Sequence, residues 1–211
     1  MYIAIEGVIG VGKTTLARLL QPHYKAELLL EVFEENPFLS DFYSDRERYA
    51  FQTQIFFLLS RYHQQRRATT AILGHNSNLI SDYTFDKDAL FALINLKGDE
   101  LEMYYRVHQA LAEKIARPDL TVYLKADTKI LMQRIASRDR PYERKMERGY
   151  ISQLNQAYDE FFSAPDMKSR TLIIDTNDLN FVSKPDDLTY IDLRIKQALR
   201  LPPYQTELPL K

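Results

Sequence analysis

Tyr2-Ile3-Ala4-Ile5-Glu6-Gly7-Val8-Ile9-Gly10-Val11-Gly12-Lys13-Thr14-Thr15 is the stretch whose reading decides the fold. Tyr2 to Glu6 is a short apolar run, long enough for one buried strand. Gly7 to Thr14 matches the spacing G-x-x-x-x-G-K-[ST], and Leu16-Ala17-Arg18-Leu19-Leu20 continues with helical periodicity. Strand, glycine loop and helix in that order are the context a phosphate-binding P-loop requires. Gly7, Gly10 and Gly12 allow the backbone N–H groups around Val11 and Thr15 to wrap an anion at the positive end of a helix. Lys13 is placed to reach the β- and γ-phosphates of a nucleotide, and the Thr14 hydroxyl to ligate magnesium. A chance glycine turn would have to hold all eight positions in frame, so a nucleotide is the expected ligand.

Outward from that stretch, the chain of 211 residues fits one domain able to bury roughly 70% of its unfolded surface. Its 28 Lys and Arg residues balance 29 Asp and Glu, a formal net charge of −1 that argues against nucleic acid as the main partner. The absence of cysteine excludes disulfides and thiolate metal sites and fits a reducing, cytoplasmic setting. No apolar run is long enough to span a bilayer, so no membrane partner is expected. The N-terminus has the pattern of a strand and not of a charged-then-apolar leader.

Glu27–Glu31 reads as a second strand ending in a carboxylate, followed by a turn at Asn36-Pro37 and a short aromatic helix over Phe38–Tyr43. Ser44 or Asp45 caps a long helix through Arg67, whose apolar stripe is Phe51, Ile55, Leu58, Leu59 and Tyr62. After the loop Gly74–Asn76, Asn78–Asp82 is a third strand ending in a carboxylate. Helices follow over Asp86–Leu96 and Asp99–Ala116, then a strand at Leu120–Leu124 and a helix from Asp127 or Thr128 to Ser137. A helix over Gly149–Phe162, a strand at Arg170–Asp175 and a helix at Asp187–Leu199 complete the pattern, and the proline-rich tail from Pro202 reads as extended. Short apolar strands alternating with helices predict one α/β domain: a five-stranded parallel sheet with helices on both faces.

In such sheets ligands sit beyond the carboxyl ends of the strands. Asp82 closes the third strand in the manner of a Walker B acid, where it faces Thr14 across a magnesium ion and borders the acceptor. Glu31, Glu34 and Glu35 lie in one loop beside the γ-phosphate position, and the residues alone do not choose among them as a base. Asp127 and Asp175 read as structural caps. The run Arg138–Arg148 is densely charged and concentrates arginine between two helices, which predicts a short closing lid. Arg138 and Arg140 are the candidates to stabilise charge on a transferring phosphoryl group, with Arg134 supporting them from the helix before. A GTPase would need an N-K-x-D guanine motif, which the sequence lacks. A small-molecule kinase fits best, ahead of a nucleotide-binding regulator without turnover.

These residues carry a family resemblance. Ile5–Thr15, Glu31-Val32-Phe33-Glu34-Glu35-Asn36-Pro37-Phe38-Leu39, Phe42-Tyr43, Phe51-Gln52, Asp82-Tyr83, Pro118-Asp119-Leu120 and Arg138-Asp139-Arg140 follow in the order found in the deoxynucleoside kinases. The chain resembles specifically their bacterial deoxyadenosine/deoxyguanosine branch, over nearly its whole length. The resemblance implies ATP and Mg²⁺, a deoxynucleoside accepting phosphate on its 5′-hydroxyl, and a homodimer. It makes Glu31 the general base, Tyr43 and Glu143 the partners of the sugar 3′-hydroxyl, and Gln52 the contact to the base edge, beside an apolar wall at Phe56. It also implies that Asn177–Phe181 border the adenine of ATP. Relatives carry an arginine after the third-strand acid, where this chain has Tyr83; Arg61 is one substitute, and simple packing is its other reading. The closest enzymatic alternative is a thymidylate-type monophosphate kinase, whose anionic acceptor the Glu31–Glu35 carboxylates would repel.

Overall fold

The computed structural model describes residues 1–33, 35–75, 77–165 and 170–201. The strands β1 (Tyr2–Glu6), β2 (Ala26–Leu29), β3 (Asn78–Ser81), β4 (Leu120–Lys125) and β5 (Thr171–Asp175) form one parallel sheet in the order β2-β3-β1-β4-β5. The helices are α1 (Lys13–Tyr24), α2 (Leu39–Ser44), α3 (Arg46–Leu73), α4 (Lys87–Asn95), α5 (Gly98–Ala112), α6 (Thr128–Arg138), α7 (Arg148–Ser163) and α8 (Pro185–Ala198). A single 3₁₀ turn, Pro141–Glu143, lies between α6 and α7 in the arginine-rich stretch. The expected α/β architecture is therefore the observed one.

The opening stretch is the centre of this sheet. All five residues of β1 are buried, with Ile3 opposite Ile80 of β3 on one side and Leu120 of β4 on the other. Successive strand side chains point to opposite faces. Ile3 and Ile5 accordingly join the large core with Leu16, Leu20 and Val122, whereas Tyr2 and Ala4 pack with Leu29, Leu79 and Tyr83. Because β2 and β3 lie on one side of β1 and β4 and β5 on the other, the chain changes direction at β1. A crevice opens there at the carboxyl ends of the strands, which is where such sheets bind ligands.

Boundaries differ from the sequence reading in a few places. β2 ends at Leu29, so Glu31 stands two residues beyond the strand. α3 runs six residues past Arg67 because Ala68, Ile72 and Leu73 still find apolar partners in the smaller core. Asp45 is its cap, its carboxylate accepting from the Arg48 N–H at 3.3 Å. Asp127 precedes α6 without a side-chain capping bond, whereas Asp175 accepts from the Asn177 N–H at 2.9 Å. Glu34, Asn76 and the tail from Pro202 lie outside the described residues.

Candidate active site

The loop between β1 and α1 has the backbone of an anion cradle. Gly7 and Gly12 take φ of 145° and 107°, values L-residues rarely adopt. Contacts exclude a side chain as well: a Cβ on Gly7 would sit 2.5 Å from the Leu124 carbonyl oxygen, and one on Gly12 2.9 Å from the Phe181 ring. Lys13 folds back over its own loop, Nζ donating to the carbonyls of Gly7 (2.7 Å) and Val8 (3.3 Å). Burial and the neighbouring Lys87 charge push its pKa down to about 8, against the pull of Glu6, Glu31 and Asp82. A phosphate gives this ammonium a better partner than two carbonyls.

The carboxylates converge where the strands end. The Thr14 hydroxyl donates to Asp82 Oδ2, and Asp82 Oδ1 accepts from the Glu31 N–H at 2.8 Å, so Asp82 ties the P-loop to the segment that follows β2. Glu6, fully buried at the end of β1, accepts from the N–H of Thr84 (2.5 Å) and of Gly7 (3.1 Å) and locks the post-β3 loop to the P-loop. Burial raises its pKa, against the Lys87 and Lys13 charges.

Glu31 lies in the wall of a cleft with Lys13, Thr14, Tyr43, Asp82, Arg138, Arg140 and Glu143. One carboxylate oxygen pairs with Arg61 of α3 and the other accepts from Lys87 Nζ of α4 at 2.5 Å. Burial alone would raise its pKa, but the Lys87 and Arg61 charges together outweigh that and hold it far below the ordinary carboxylate range. Arg61 also pairs with the fully buried Asp88 and stacks over Phe57. Glu35 is exposed and borders an outer groove with His63 and Arg67, away from the cleft. Of the described carboxylates in that loop, the cleft takes only Glu31.

The arginine-rich stretch closes the other wall. Arg138 grips Glu143 with two bonds, 2.6 and 3.1 Å, and Arg140 Nη1 lies 3.7 Å from the same carboxylate. The Arg140 guanidinium covers the Phe33 ring at 4.2 Å, and Tyr142 stacks on Tyr43 with centroids 6.3 Å apart. Gly10 and Arg138 are shared with a second, more open hollow, bordered by Val11, Gly12, Thr15, Arg134 and the loop Asn177–Val182. Arg134 spans it, donating to the carbonyls of Val11 (3.2 Å) and Thr176 (2.8 Å) and fixing the P-loop to the end of β5. One hollow thus faces each side of the P-loop.

Two sequence-based expectations are corrected. Gln52 is exposed, and neither it nor Phe56 lines the cleft. They share a face with Leu59, as the helical spacing requires, but Leu59 is 43% exposed: that face points outward. The inward face carries Ala50, Gln54, Leu58, Arg61 and Gln65, all buried, and presents Gln54, Phe57 and Arg61 to the cleft. The apolar stripe misled because polar side chains occupy the buried side. Gln54 and Arg61 stand seven residues apart, one helical face, and that spacing was the available signal. Lys87 was also missed, since a lysine in the first turn of a helix normally reads as surface.

Thr14 and Asp82 fit a magnesium ion: both offer hard oxygens, already in contact, beside the position of a bound phosphate. Among the described residues no cluster of three His, Cys, Asp or Glu could hold a metal unaided. Magnesium needs no such cluster, being commonly held by one or two protein oxygens plus substrate phosphates and water.

Residues 3–199 match the family model for deoxynucleoside kinases. The deoxyguanosine kinase of Bacillus subtilis is 33% identical over 201 residues, 94% of this chain and 97% of that one. The deoxyguanosine kinase of Lactobacillus acidophilus is 28% identical over 218 residues, 95% of this chain and 93% of that one. In structure, the deoxyadenosine kinase of M. mycoides superposes with a TM-score of 0.81 at 25% identity, covering 93% of this chain and all of that one. With the P-loop, the paired carboxylate and the arginine-rich stretch on one crevice, the chain belongs to the deoxynucleoside kinase family.

Proposed function

We propose that this kinase transfers the γ-phosphoryl group of ATP to the 5′-hydroxyl of a purine deoxynucleoside. The observation that carries the acceptor assignment is Glu31, a partly buried carboxylate kept charged between Arg61 and Lys87, close to the P-loop residues Lys13 and Thr14. The hollow bordered by Arg134 and Asn177–Val182 takes the donor's adenosine, and the cleft takes the nucleoside. When bound, magnesium would neutralise charge on the β- and γ-phosphates from Thr14 and Asp82.

Glu31 orients the 5′-hydroxyl along the line of transfer. Its low pKa keeps it ionised, able to accept from the hydroxyl but a weak base, which suits a loose transition state in which the hydroxyl proton leaves late. Tyr43 and Glu143 hold the sugar 3′-hydroxyl. Lys13 turns from the Gly7 and Val8 carbonyls to the phosphates, and Arg138 and Arg140 supply charge from above. Most of the acceleration is positioning and electrostatics. Arg61 and Lys87 could have greeted an anionic acceptor, but both are committed to carboxylates, which favours a neutral nucleoside over a monophosphate. The purine preference follows the relatives' names. A cytoplasmic setting and a homodimer are carried from the family; the neighbouring helices α3 and α5 leave Leu59 and Met103 exposed as candidate apolar contacts for the latter.

The test is ATP consumption with each of the four deoxynucleosides and their monophosphates. Turnover with deoxyguanosine or deoxyadenosine is expected, and turnover with monophosphates alone would overturn the reading. The base-edge contact has its own check. Gln54→Ala is expected to raise the deoxynucleoside KM about 10-fold or more, the cost of losing a buried amide's hydrogen bonds, with the KM for ATP unmoved. Gln52→Ala on the outer face is expected to leave both constants as they were, and the reverse pattern would restore Gln52 to the site.

A further inference from the structure

The cation opposite Glu31 comes from a place the sequence did not advertise. The position directly after the third-strand acid is Tyr83. Its side chain is fully buried in the smaller core with Tyr2 and Leu79, and its hydroxyl donates to Gln64 at 2.6 Å. Four residues later, α4 begins at Lys87, whose ammonium reaches Glu31 Oε2 at 2.5 Å in the wall of the cleft. Lys87 is only 5% exposed. A buried ammonium is costly unless paired, so its presence calls for a partner that matters.

We propose that Lys87 is the positioning residue of the acceptor carboxylate. Arg61 alone cannot fix Glu31, because it is shared with Asp88 and leaves the second carboxylate oxygen free to rotate away from the 5′-hydroxyl. Lys87, from α4, takes that second oxygen while Arg61, from α3, holds the first, and so sets the carboxylate plane. Its own placement is determined by the fold: Glu6 accepts from the Thr84 N–H and hydroxyl, anchoring the segment that leads into α4 beside the P-loop. The P-loop strand therefore positions both the donor lysine and, through Glu6, Thr84 and α4, the lysine that aims the acceptor base.

The inference rests on reading Glu31 as the acceptor-side carboxylate, and a double-mutant cycle separates the two. Steady-state kinetics would compare the full chain with Glu31→Gln, Lys87→Met, Lys87→Arg and the Glu31→Gln/Lys87→Met pair. Lys87→Met is expected to lower kcat about 10²-fold, the usual cost of misplacing a reacting group by an ångström. Its KM for ATP should stay within about twofold, since donor binding does not pass through Glu31. In the Glu31→Gln background the same change should cost almost nothing, because two residues acting through one another are not additive. Lys87→Arg keeps the charge and should recover most of the loss; it also serves as the folded test variant if Lys87→Met is unstable. An equal loss from Lys87→Met in both backgrounds, or a rise confined to the KM for ATP, would overturn the role proposed for Lys87. Full turnover in Glu31→Gln would instead overturn the reading of Glu31.

Discussion

Glu31→Gln is expected to bind ATP as the unaltered protein does and to lose about 10²- to 10⁴-fold in kcat, the range that a positioned general base contributes. The substitution keeps the shape of the side chain and removes its charge. Three consequences follow from the geometry. The 5′-hydroxyl loses the acceptor that orients it. Lys87 and Arg61 lose the anion between them, although Arg61 retains Asp88. Lys13 loses one of the carboxylate charges that support its ammonium but keeps those of Glu6 and Asp82, and its hydrogen bonds to the Gly7 and Val8 carbonyls do not involve Glu31. Calorimetric ATP binding beside single-turnover phosphoryl transfer separates these effects. Turnover near that of the unaltered protein would move the base to Glu35 or Glu34.

Arg138→Ala is the second large effect, a fall in kcat of about 10³-fold, as for other arginines that meet a transferring phosphoryl group. In this structure the Arg138 guanidinium grips the Glu143 carboxylate, 5% exposed, through its Nε and one terminal nitrogen. Phosphate and carboxylate both fit that fork, so a bound γ-phosphate and the sugar 3′-hydroxyl can divide the pair between them, each taking one half. The nucleoside KM should rise only a few-fold, because Arg140 still lies 3.7 Å from Glu143 and helps hold it. Rapid-quench measurement of the chemical step is the direct check. A kcat within about threefold of the unaltered protein would make Arg138 a clamp on Glu143 and pass the phosphoryl role to Arg140.

The first fifteen residues determined most of this protein. A buried apolar strand, glycines where φ is positive and a lysine-threonine pair at a helix start are local requirements, and local requirements are written in consecutive residues. For the same reason the alternation of strands and helices, the acids Glu31 and Asp82 beyond their strands, and the clustering of arginine between α6 and α7 were all legible. The choice of Glu31 over its neighbours came from the family resemblance, and the structure puts Glu31 in the cleft and Glu35 on the outer surface.

Tertiary structure decided what depends on rotation and on distant partners. The side of α3 that faces the cleft was misjudged because its buried stripe is partly polar, with Gln54, Arg61 and Gln65 where a periodicity argument expects apolar residues. Of the cations that meet Glu31, Arg61 was legible only as one of two readings of a helix arginine, and Lys87 was not legible at all. Arg61 lies 30 residues away and Lys87 lies 56, and nothing in the spacing links them to it. The sequence by itself determined the donor site, because one continuous segment builds it. Only the folded sheet decided the acceptor site, because it brings the ends of β2 and β3 beside α3, α4 and the arginine-rich turn, and charge pairing across those elements exists only once they are packed.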